Sequence, residues 1–167
     1  MEFFELISKR HSVRSYKDVG VEEEKLEKIL EAARLAPTAA NRQAFKIIVL
    51  NTRGREDELR RVYGRDWFYK APLVLCVCSI PERSWVRSDG KNYSDVDAAI
   101  VMDHIILAAT ELGLGTCWIG AFNVEAARQV LALDTSLEPV AFTPLGYPDD
   151  AEFKKIRKPI EEIVIYK

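Results

Sequence analysis

The chain has 167 residues, 48% of them hydrophobic and 30% charged, and its formal net charge is -2. That length and balance suit one ordinary globular domain over residues 1–167, and near-neutrality gives no general attraction to nucleic acid or to an acidic membrane. No apolar run approaches a membrane span, the first six residues lack the basic start and apolar core of a signal peptide, and three cysteines make no disulfide framework, so a reducing cytoplasm is expected.

A short amphipathic stretch opens the chain and gives way to Lys9-Arg10-His11-Ser12-Val13-Arg14-Ser15-Tyr16. In extended backbone, side chains two apart point the same way. Arg10, Ser12 and Arg14 can therefore face one phosphate, whose oxygens accept the paired donors of planar guanidiniums. Taken alone, such a cluster is more often a solvated basic patch than a site.

Apolar residues at Leu26, Ile29, Leu30, Ala33 and Ala36 carry the helical repeat over 21–36, and Pro37 stops it. Residues 45–50 form a β-branched run, 56–63 a charged surface helix, and 73–79 an apolar run short enough for a buried strand. The segment 81–93, which carries Trp85, reads as a loop of the length that is often functional or mobile. Ser94 followed by Asp97 resembles a capping box at the head of a long apolar helix that runs to about Leu112 and ends at Gly113 and Gly115. Residues 116–119 have strand character, Asn123 can cap a helix through Leu131, and 140–145 returns as a strand. From Ala151 the tail is polar and basic until the apolar Ile163-Val164-Ile165-Tyr166, an end that gains by docking, with a second subunit as one surface it could use.

Other features have plainer readings. Cys76 and Cys78 read as core thiols, since no further ligands with metal spacing lie near. His104 lies among apolar helix positions and reads as a core or interface histidine. The clustered Trp67, Phe68 and Tyr69 read as core packing or as a flat wall for an aromatic ligand. There is no P-loop, no Gly-x-Gly-x-x-Gly after a strand, no Gly-x-Ser-x-Gly and no zinc spacing.

Four segments occur together in order: Lys9–Tyr16, Ala36-Pro37-Thr38-Ala39-Ala40-Asn41-Arg42-Gln43, Gly113-Leu114-Gly115-Thr116-Cys117-Trp118-Ile119-Gly120, and Lys154-Lys155-Ile156-Arg157-Lys158-Pro159. On these the chain resembles the FMN-dependent nitroreductase family over nearly its whole length. The resemblance implies an α+β fold with a mixed, mostly antiparallel central sheet flanked by helices, and a C-terminal tail exchanged across a homodimer. It also implies a tightly bound FMN at the subunit interface. Arg10, His11, Ser12, Arg14, Arg157 and Lys158 would lie at its phosphate and ribityl end. Pro37, Thr38, Ala39 and Asn41 of the other subunit would touch the ring, as would Trp118, Ile119, Gly120 and Ala121, with an amide of Gly120 or Ala121 on its N5 side.

NADH or NADPH would be a transient donor in a ping-pong reaction whose acceptors are nitroaromatics, quinones or related small molecules. The flavin carries that chemistry, so no side chain is expected to be catalytic. Two departures stand out. Ala44-Phe45 replaces a common Pro-Trp, and Gly120 stands where many relatives have an acidic residue. Arg65 is a candidate for the pyrimidine edge, and Trp85 is the candidate lid at the substrate entrance. The short stretch between Ser79 and Ser94 implies a more open flavin face than in longer relatives. The alternatives are a flavin-binding protein without turnover, or a specialised flavoenzyme such as a dehalogenase or ring oxidase.

Overall fold

A computed structural model describes residues 1–151 and 155–167. Lys154, the first residue of the basic tail motif, lies outside them. The helices are α1 (Phe3–Lys9), α2 (Glu23–Arg34), α3 (Glu56–Val62), α4 (Asp66–Lys70), α5 (Ser94–Glu111) and α6 (Val124–Val130). The strands are β1 (Phe45–Asn51), β2 (Leu73–Ser79), β3 (Gly115–Thr116) and β4 (Glu138–Gly146), and they form one sheet in the order β1-β2-β4-β3. Every strand pair in it is antiparallel.

The alternation along β2 explains the layers. Leu75 and Val77 point to one face, where α5 and α2 supply Val101, Met102, Ile105, Ile29 and Ala33. Val74, Cys76 and Cys78 point to the other, where α3, α4 and α6 supply Leu59, Phe68, Ala126 and Ala127. A strand covered on both faces needs apolar residues at every position, which is why β2 reads as a continuous run although its neighbours are antiparallel. Cys76 and Cys78 are buried core thiols, and His104 Nδ1 lies 3.0 Å from the Ala32 carbonyl oxygen, tying α5 to α2. Among the described residues no helix is long and apolar enough to cross a membrane.

Two local expectations need correction. The head of α5 is not a capping box: Tyr93 is its N-cap and makes no side-chain cap bond, the Ser94 N–H donates to Asn92 Oδ1 at 2.8 Å, and the Asp97 carboxylate has turned to the backbone of Ala39. Strand character over 116–119 is confined to β3 plus one bridge between Ile119 and Phe142, because the chain leaves the sheet at Cys117 and Trp118. The aromatic cluster 67–69 is core packing as expected, carried on a short helix with Phe68 and Tyr69 buried. At α6 the Asn123 cap is present, its side chain accepting the Ala126 N–H at 3.0 Å.

Val13 joins the basic segment to this frame. It is buried, its N–H donates to the Thr116 carbonyl at 2.9 Å, and its side chain lies over Gly115. A β-carbon at Gly115 would come within 2.7–2.9 Å of the Val13 side chain. Gly115→Ala is therefore expected to destabilise the protein by about 1–3 kcal/mol, the usual cost of overpacking. Thermal unfolding measures this, and an unchanged midpoint would mean that the contact relaxes freely.

Candidate active site

The segment after α1 runs along the end of the sheet, with Ser12 bridged to Thr116. With Val13 turned inward, Arg10, Ser12 and Arg14 turn outward. Together with His11, Lys155 and Arg157 they line one cavity of about 160 Å³. The segment is held at several points: Tyr16 Oη donates to the Val13 carbonyl, Lys17 N–H to that of Tyr147, and Asp149 N–H to that of Ser15, each at 2.9 Å. Both oxygens of Asp150 are used here. One accepts the Arg14 N–H at 3.1 Å and the other lies 3.3 Å from His11 Nε2. The second nitrogen of His11 lies 3.2 Å from the Lys9 carbonyl oxygen, so the ring is fixed in plane. Arg14 lies over the Trp67 ring, 5.9 Å from its centre.

Lys155 donates to the Ile7 carbonyl, and its ammonium is held below the ordinary lysine pKa, first by burial and then by Arg10 and Arg157. Lys155, Arg10 and Arg157, three of the four cations of this small cavity, repel one another, and a bound anion relieves that repulsion. Binding an anion must therefore favour the protonated lysine. Inorganic phosphate, dianionic throughout, is expected to bind less tightly as pH rises through the alkaline range below about 10.4, the ordinary lysine value. Titration calorimetry across that range measures it, and Lys155→Met should flatten the slope. Equal slopes in both proteins would contradict this role for Lys155.

The structure separates the remaining candidate residues into distinct places. Lys158 lies outside the cavity and pairs with Glu162 at 3.4 Å, and Lys155 takes the inward position. Nothing but the motif spanning 154–159 could have pointed to Lys155. Asp150 was not a candidate at all. Trp118 is 41% exposed, Ile119 is buried and bonded both ways to Phe142, and Gly120 and Ala121 lie on the surface. No atom lies within 4 Å of a β-carbon built at Gly120, and among the described residues the Gly120 and Ala121 N–H groups make no hydrogen bond. These are two donors, free among the described residues, just past the Ile119 bridge. Arg65 is exposed ahead of α4. Trp85 packs edge-to-face on Tyr93, ring centres 5.0 Å apart, inside the hairpin that the 81–93 loop forms.

Pro37, Thr38, Ala39 and Asn41 line no part of the phosphate-sized cavity. Their loop is unusual, because Ala40, Asn41 and Gln43 all have φ near +50°. For residues with a side chain that conformation costs roughly 1–2 kcal/mol each, less for asparagine. The loop is closed by Asn41 N–H on the Thr38 carbonyl at 2.9 Å and Gln43 N–H on Thr38 Oγ1 at 3.0 Å. Ala39 N–H is held from outside, by Asp97 Oδ1 at 2.9 Å.

The three-layer α+β fold is shared with known proteins. The model of the nitroreductase family matches residues 7–64 and 53–147. A nitroreductase family protein of Clostridium difficile 630 superposes with a TM-score of 0.92 at 40% identity, covering 100% of this chain and 99% of that one. An FMN-dependent nitroreductase of Clostridium difficile R20291 gives 0.80 at 29% identity, covering 98% of each. The FMN reductase [NAD(P)H] of Bacillus subtilis strain 168 is 28% identical over 179 aligned positions, 97% of this chain and 72% of that protein. The chain belongs to the nitroreductase family. It is an oxidoreductase.

Proposed function

We propose that this chain is a cytoplasmic, homodimeric, FMN-dependent NAD(P)H oxidoreductase, one FMN-binding domain per chain, acting on nitroaromatic, quinone or related acceptors. The observation that carries the reading is the convergence of Arg10, Ser12, Arg14, Lys155 and Arg157 on one small cavity. Its size and donors fit the phosphate of FMN, and the free N–H groups of Gly120 and Ala121 fit the ring's need for hydrogen-bond donors. When bound, FMN supplies two-electron chemistry between NAD(P)H and an organic acceptor. The chain's own residues would hold the phosphate and offer the backbone donors of Gly120 and Ala121, and Trp85, tied into its hairpin, would serve as the lid at the substrate entrance.

A homodimer would set loop 37–41, anchored at the first turn of α5 through Asp97, against the flavin of the partner chain. Helix α1 buries none of its residues in its own chain, and Ile160, Ile163, Ile165 and Tyr166 of the tail are exposed. A second copy would cover this apolar surface, with the tails exchanged.

The test is equilibrium binding of FMN to flavin-free protein. The reading expects one FMN per chain in a protein that sediments as a dimer, and a chain that takes up no FMN would overturn it.

A further inference from the structure

Asp97 lies on the first turn of α5 and is 1% exposed, yet its carboxylate makes one hydrogen bond, accepting the Ala39 N–H. Its other oxygen, Oδ2, is buried without a partner among the described residues. A buried carboxylate half-satisfied in this way is costly, and an apolar residue of similar volume is often tolerated as well or better. The positive end of α5 offsets part of the charge. The other part has no structural return in the helix, since Asp97 does not cap it. What the residue does contact is the strained loop.

We propose that Asp97 is a positioning residue that holds loop 38–43 in its left-handed shape and so presents that loop to the flavin. The cofactor part rests on the function proposed above, whereas the effect on the loop does not. Three residues in positive φ relax unless something outside the loop opposes it. The bonds within the loop move with it. Ile80 N–H on the Ala44 carbonyl, at 2.9 Å, anchors its exit, and Asp97 on Ala39 anchors its entry. Between these anchors lie all three strained residues. What the loop requires is an acceptor oxygen at the Oδ1 position, with or without charge.

Asp97→Leu removes the acceptor and fills the space, and Asp97→Asn keeps an acceptor. Hydrogen exchange is followed by mass spectrometry on flavin-free protein, alongside FMN titration. In Asp97→Leu, peptides over 38–44 should exchange about tenfold faster, as loss of one buried hydrogen bond implies, while β2 and β4 stay as protected as before. FMN should bind about tenfold more weakly for the same reason. Asp97→Asn should return both readouts to near the parent values. If Leu is not accommodated, Asp97→Ala removes the acceptor equally. Unchanged exchange over 38–44, or faster exchange spread evenly through the sheet, would overturn the proposal. So would an Asn variant as impaired as the Leu variant. Failure of the parent protein to bind FMN would overturn the function proposed above and leave the exchange result to decide the role of Asp97.

Discussion

Replacing Arg14 by alanine is expected to weaken FMN binding by about 10- to 100-fold, the loss of a charge-assisted contact, while leaving the fold intact. The side chain is exposed apart from its position over Trp67, so nothing in the core depends on it. Its backbone N–H stays on Asp150 in the variant, and Val13 stays over Gly115, so the cavity keeps its shape and loses one cation. Arg10, Lys155 and Arg157 remain, which is why the effect is a weakening rather than complete loss. Dialysis followed by flavin quantification, with circular dichroism as the fold control, measures it. Full retention of flavin through dialysis would remove Arg14 from the site.

Deleting residues 151–167 should have the larger effect: a folded protein that no longer dimerises and no longer retains flavin. None of the described residues in that tail is buried, so the two cores on either side of the sheet do not need it. Two of the cavity's four Lys and Arg side chains, Lys155 and Arg157, go with it, and so does the apolar end formed by Ile163, Ile165 and Tyr166. Loss of the partner would also remove loop 37–41 from each flavin. Sedimentation velocity and an absorption spectrum on the same sample report both losses. A truncated protein that remains a dimer with one flavin per chain would show that the tail has no part in assembly or in the site.

Much of the frame was legible in the sequence because it is periodic. The 3.6-residue repeat marks α2, the continuous apolar run marks β2 as a strand covered on both faces, and Asn123 marks the start of α6. The basic segment was legible too, since alternation puts Arg10, Ser12 and Arg14 on one side. What stayed hidden lacks a period. Helix α4 is five residues with three aromatics in a row, a pattern that any buried conformation accommodates. Lys155 and Lys158 lie in no helix or strand whose period could tell them apart, and only the folded path turns one inward and leaves the other paired with Glu162. Asp97 looked like a cap because its spacing from Ser94 is right, but tertiary contact with Ala39 competes with capping and wins. The left-handed run at Ala40, Asn41 and Gln43 has no glycine to announce it, and Asn41 alone among the three tolerates that conformation readily.

The most direct measurement is anaerobic mixing of the FMN-loaded protein with NADH or NADPH, followed at the oxidised-flavin band. The account predicts that at least one donor bleaches the band and that a quinone or nitroaromatic then restores it. A band that stays oxidised with both donors would contradict the account and leave a flavin-binding protein without turnover or a specialised enzyme of the same family.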